Sequence, residues 1–263
     1  MSNQGDLPRR PHRVLRDDPT KSSMHNREGL SPRAIWTALC DWRLWPLYIL
    51  GLVHMIPTGT PQVYLTLSLR QLGFSTTESS LLSIPAYVIG VIGLLATAFL
   101  SEIIDSRVIS TVILQIWSLP LLIALYTFTA ETSQWVYYVI VMLIVGFPYV
   151  HPIQVAWTSR NSYSVRTRTV SASVYNMFVQ AGAIIYSNIY QNDDKPLYKR
   201  GNRALIGINC MNIVLYIFTF YFYRTLNQRR DKKWNSMTVK EQTEYLETTK
   251  DEGNKRLDFR FAY

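Results

Sequence analysis

Six polar side chains stand out in apolar stretches of this sequence that carry no charge: His54, Gln62, Tyr64, His151, Asn176 and Gln180. His54 sits near the middle of its stretch. Imidazole ordinarily titrates at about pH 6.5, so a histidine there is a candidate for proton relay or substrate contact. The competing use is structural: a neutral ring bonded to another helix, or to a backbone carbonyl that Pro57 leaves without a donor. Gln62 and Tyr64 follow on the same stretch and offer further hydrogen bonds. Asn176 and Gln180 are four residues apart and share one face of a helix. Their amides can serve a ligand or hold neighbouring helices together. His151 stands in Pro148-Tyr149-Val150-His151-Pro152, where paired prolines can break a helix and expose carbonyls to a pathway.

Other chemistries have no footing. The sequence has no His/Cys/Glu metal spacing, no glycine-rich phosphate loop and no serine elbow. These stretches contain only two histidines and no carboxylate. The expectation is a protein that is not an enzyme, with no cofactor and no metal.

The elements that position these residues are set by charge. Of 263 residues, 27 are Lys or Arg and 18 are Asp or Glu. None of these falls in the windows 44–69, 79–101, 108–130, 132–159, 169–192 and 204–223. A bilayer core about 30 Å thick is crossed by roughly 20 helical residues, so each window is long enough to span. A soluble amphipathic helix would need a charged face, and the windows have none. Mean hydropathy is only +0.02, because apolar windows are averaged with polar ends. The predicted fold is therefore an all-α membrane protein with six transmembrane helices.

The net charge of +9 invites a nucleic-acid partner, but the placement of the charge points to the bilayer. With both termini in the cytosol, 22 Lys/Arg lie on the cytosolic side and 5 on the other. That is the positive-inside distribution. Trp42, Trp45, Trp135 and Trp157 fall near window ends, as interfacial aromatics do. The first and fourth windows each hold a proline pair, which makes them the ones expected to bend. Ala86 and Gly90 are spaced to let another helix approach the second window closely.

Three regions follow. Residues 1–43 form a cytosolic arm with a short interfacial helix starting at Ser31-Pro32. Residues 44–223 form the transmembrane bundle. Residues 224–263 form a basic cytosolic tail, expected to be solvated near anionic lipid, with a helix from about 238 that opens on the capping box Thr238-Val239-Lys240-Glu241. Cys40 and Cys210 fall near opposite faces of the membrane, too far apart to pair.

Several motifs resemble the fungal allantoate permease family, anion:cation symporters of the major facilitator superfamily. They are Asp17 to Arg27, Trp45-Pro46-Leu47-Tyr48, Arg166 to Ala172 with Tyr175-Asn176-Met177, Asp193 to Tyr198 with Gly201-Asn202, and Arg256 to Phe261. The loop Ser101 to Arg107 departs from the superfamily's gating-loop pattern, keeping only an Asp and an Arg of it. The resemblance implies a chain equivalent to the C-terminal half, helices 7 to 12, of a twelve-helix transporter. It also implies a plasma-membrane location and proton-driven uptake of a small organic anion such as allantoate, pantothenate or nicotinate. The first, second, fourth and fifth windows would line the cavity. An N-terminal half or a second copy would complete the transporter. The alternative is a truncated membrane protein, or incomplete gene product, that does not transport.

Overall fold

The computed structural model describes residues 32–104, 106–162, 165–249, 251 and 253–263. Residues 1–30 of the N-terminal arm, the cap at Ser31 and the gating-loop Asp105 lie outside the described residues. Among those described, every regular element is helical.

After a short helix α1 (Pro32–Leu39), the first charge-free window is not one rod. It forms α2 (Trp45–Val53), α3 (Ile56–Val63) and α4 (Leu65–Gln71), with breaks at residues 54–55 and at Tyr64. Pro57 has no N–H, so the Val53 carbonyl loses its helical donor. Asn212 supplies the replacement, Nδ2 donating to Val53 O at 3.2 Å. α5 (Thr76–Ile104) is continuous, and its first turn is closed reciprocally by Ser75 and Glu78. α6 (Arg107–Thr127) starts on the cap Ser106. Arg107 reaches back to Ser101 Oγ at 2.8 Å, which tightens the loop between α5 and α6.

The fourth window also breaks. α7 (Gln134–Val145) and α8 (His151–Ser162) are separated by the non-helical run Gly146-Phe147-Pro148-Tyr149-Val150. The two windows with proline pairs are thus the two that break. α9 (Val165–Ser187) and α10 (Lys199–Asn235) complete the bundle, and α11 (Val239–Thr248) follows.

By length and composition, α5, α6 and α10 can cross a membrane, and α7 is a shorter apolar helix. Side chains such as Leu95 and Phe99 on α5 are 66% exposed. An apolar surface of that kind suits lipid contact.

α6 and α10 run antiparallel and meet along a polar seam. Ser118 Oγ donates to Asn209 Oδ1 at 3.1 Å, and Asn209 Nδ2 donates to the Gln115 carbonyl at 3.0 Å. From that contact the antiparallel register sets Gln115 opposite Asn212 and Thr111 opposite Tyr216. The buried α10 positions Asn202, Leu205, Asn209, Asn212, Tyr216, Thr219 and Tyr223 recur in alternating steps of three and four, the spacing of one helix face. In lipid, burying apolar groups between helices gains little, so amide and hydroxyl contacts hold the seam.

α10 runs through the predicted bundle boundary at 223, because residues 224–235 contain no glycine or proline to stop it. The predicted capping box is present at Thr238, whose amide and hydroxyl hold the Glu241 carboxyl below its ordinary range. The solvated tail is corrected at its end: Phe259 and Phe261 are buried. Two amides read the tail backbone. Asn227 Nδ2 donates to Phe261 O at 2.8 Å, and Asn227 Oδ1 accepts from the Phe261 N–H at 2.9 Å. Asn161 does the same for Ala262, at 3.2 and 2.8 Å. The tail docks because the α10 seam continues past the apolar window, and Asn227 and Arg230 lie on it.

Candidate functional site

The two helix breaks converge on a cleft of about 200 Å³. Met55 and Thr58 line it from the first break, Phe147 and Tyr149 from the second, and Tyr87 and Gly90 from α5. The small residues of α5 admit the second break. A Cβ on Gly90 would lie 3.9 Å from the Gly146 carbonyl, and one on Gly93 would strike Pro148 at 2.6 Å. The oxygen Thr58 Oγ1 is buried without a protein partner.

His54 sits in the first break and is fully buried. Its Nδ1 lies 3.0 Å from the Leu50 carbonyl and 3.2 Å from that of Gly51. Two acceptors there assign the ring proton to Nδ1. Nε2 has no protein partner. The structural bond expected through Pro57 exists, but Asn212 makes it instead of His54.

His151 opens the second half-helix, α8. Its ring stacks on Tyr175 at 5.5 Å and lies 5.3 Å from Tyr149. Tyr175 in turn packs on Gly51, so closely that a Cβ there would lie 2.7 Å from the ring. His151 and Gly51, whose carbonyl His54 meets, thus contact the same tyrosine. The Tyr175 hydroxyl donates to Gln154 Oε1, and Gln154 Nε2 donates to the Tyr216 hydroxyl, tying α8, α9 and α10 together.

Gln62 lines the cleft and is exposed. Tyr64 is used elsewhere: its hydroxyl donates to the Ser187 and Tyr190 carbonyls at 3.1 and 3.2 Å, and its ring packs on Tyr190 and Tyr198. Asn176 and Gln180 are exposed on α9 and are not among the residues lining the cleft. The structure therefore gathers His54, Gln62 and His151 around the breaks and leaves the other three apart. Sequence reasoning missed Gln154, although an amide three residues after His151 within a charge-free window was a visible signal.

Gln154→Leu leaves two buried tyrosine hydroxyls short of a partner, an expected loss of about 2 kcal/mol. Adding Tyr175→Phe and Tyr216→Phe should recover most of it, because the polar groups then leave together. Thermal unfolding in detergent reads both; a triple variant no better than the single one counts against the assignment.

Residues 7–187 match the Major Facilitator Superfamily. The chain belongs to the major facilitator superfamily. Its relatives within that superfamily are named as transporters. One, an uncharacterized transporter of Saccharomyces cerevisiae, is 43% identical over 252 residues, covering 96% of this chain and 46% of that protein. A putative uncharacterized transporter of the same yeast is 43% identical over 215 residues, 81% of this chain and 100% of that protein. An uncharacterized transporter of Schizosaccharomyces pombe is 24% identical over 171 residues, 65% of this chain and 34% of that protein. The chain thus spans about half the length of the longer Saccharomyces relative. No solved structure matches it. Membership in this superfamily and the long apolar helices α5, α6 and α10 together suggest an integral membrane protein.

Proposed function

We propose that this chain is the C-terminal six-helix half of a proton-coupled transporter for a small organic anion, of the allantoate permease type. Its spans are 44–69, 79–101, 108–130, 132–159, 169–192 and 204–223, with both termini cytosolic, in the plasma membrane. The observation that carries the reading is the convergence of two broken helices on one cleft, with His54 and His151 beside it. Transporters of several folds place substrate and coupling ions where discontinuous helices meet at mid-depth. Gln62, at the cleft, is a substrate contact; Asn176 and Gln180 face the half that completes the transporter. No Lys or Arg lies in the six windows, so the residue that pairs with the substrate carboxylate belongs to the other half.

The test is initial uptake by a full-length transporting form over an external pH series, with surface expression measured in parallel. His54→Gln keeps polarity and hydrogen bonding without titrating in this range. It is expected to lower proton-driven uptake roughly tenfold or more, the loss typical of removing a proton-transfer group, at normal surface expression. Retention of both the wild-type rate and its pH dependence assigns His54 a structural role and moves coupling to the other half.

A further inference from the structure

We infer that Gln115, Asn212 and His54 hold one internal water molecule in the middle of the bundle, and that this water donates to the unprotonated nitrogen of His54. Each of the three side chains is at most 1% exposed. Each presents a polar atom that no protein group meets: Gln115 Nε2, Asn212 Oδ1 and His54 Nε2. Buried polar atoms are almost always hydrogen-bonded, and ordered water meets those that the protein does not.

The residues that carry these atoms are linked through the α6–α10 seam and the Asn212–Val53 bond. The antiparallel register of α6 and α10, anchored by the Ser118–Asn209 bond, sets Gln115 opposite Asn212. On either side along the seam the facing pairs meet directly, Ser118 with Asn209 and Thr111 with the Tyr216 hydroxyl. Gln115 and Asn212, between them, have no direct bond. Asn212 then reaches across to α2 through the Val53 carbonyl, the residue before His54.

The donor and acceptor count matches water. Gln115 Nε2 donates. Asn212 Oδ1 accepts, because its Nδ2 is committed to Val53. His54 Nε2 accepts, because Nδ1 carries the proton toward the Leu50 and Gly51 carbonyls. One water accepts from Gln115 and donates to the other two, three bonds in all, the usual number for a buried water. A monovalent cation fits less well, since Gln115 Nε2 would point a hydrogen at it. His151 is the histidine whose charge bears on His54, Tyr175 packs on Gly51 beside it, and no Lys, Arg, Asp or Glu lies in these windows.

The inference deepens the coupling role given to His54 and rests on that reading only for its use in transport. The site itself is testable in protein that moves nothing. The measurement is solid-state NMR of the chain in lipid vesicles with ¹⁵N-labelled histidine, the His54 signals being assigned by their loss in His54→Gln. At neutral pH the expected spectrum is a neutral His54 ring, protonated on Nδ1, that receives magnetisation from water protons. Gln115→Leu removes the donor that seats the water and is expected to abolish this transfer. Ser118→Ala, one turn along the seam, is expected to keep it. An Nε2-protonated ring, no transfer from water in the wild type, or transfer undiminished by Gln115→Leu overturns the site; the first two need only the wild type and the His54→Gln protein used for assignment. Transfer present while His54→Gln leaves uptake and its pH dependence unchanged supports the water and removes the coupling role instead.

Discussion

Gly182→Ala is expected to be among the most damaging single-methyl changes in this chain. Gly182 lies where α9 crosses α2, and a Cβ built on it falls 2.2 Å from the Leu52 carbonyl oxygen and 3.1 Å from the carbonyl carbon. Both are backbone atoms, so no rotamer change can clear them. The helices must separate instead, and the contacts beside the crossing, including Tyr175 on Gly51, separate with them. Overpacking a core costs about 1–3 kcal/mol, and a backbone obstacle belongs at the top of that range or beyond. Gly207, on the exposed side of α10, is the internal control: nothing lies within 4 Å of its added Cβ. There alanine removes the helix penalty of glycine, about 1 kcal/mol. Thermal unfolding of purified protein in detergent should therefore move in opposite directions for the two substitutions. A Gly182→Ala protein that unfolds at the wild-type temperature would mean that α9 and α2 do not cross as described.

The contrast between these glycines marks what the sequence could and could not disclose. Neither position looks different in the primary chain. What distinguishes them is a neighbour 130 positions away in one case and open space in the other. The charge-free windows were legible because a bilayer penalises charge at every point along a span. The breaks were legible because Pro57 and Pro148 act on their own backbone, locally and independently of tertiary context. The capping box at Thr238 was legible for the same reason, since both of its bonds lie within one turn.

Polar residues inside the windows were harder to place. Asn202, Asn209, Tyr216 and Tyr223 repeat every seven residues, with Leu205, Asn212 and Thr219 between them. That pattern is present in the sequence, but counting charges alone passes over amides and hydroxyls. Asn176 and Gln180 show the converse difficulty. Their common face was readable from their spacing, but what the face meets depends on surfaces outside the described bundle. For Tyr64 the rule that intramembrane polar groups are functional candidates gave the wrong emphasis, because two carbonyls at the end of α9 take up its hydroxyl.

The tail was the least legible part, and it carries the second large expected effect. Trp157 Nε1 donates to Ala262 O at 2.8 Å, Arg230 donates to Phe259 O and Asn254 O at 3.0 and 2.7 Å, and Asn254 reaches Asp41 at 2.6 Å. The segment thereby joins the chain before α2 to the ends of α8 and α10. Deleting residues 259–263 exposes this face to water, so the polar groups left behind can be hydrated and cost little. What is lost is the burial of two phenylalanines, about 1.5–3 kcal/mol each, offset in part by the freedom that the released segment regains. A net loss of about 2–4 kcal/mol is expected, seen as a lower unfolding temperature in detergent. Phe261→Ala should approach the deletion without exceeding it, because undocking caps what a single side chain can cost. A structural consequence follows from where the staple grips. Trp157 and Asn161 lie on α8, whose other end is the break beside His151. With the tail removed, one end of α8 is released while the other already abuts a non-helical segment. Amide hydrogen exchange should therefore quicken across residues 146–162 in the deletion variant and stay unchanged in α5. If the deletion leaves both the unfolding temperature and exchange in that region at wild-type values, the docked tail is not what holds α8 against α10.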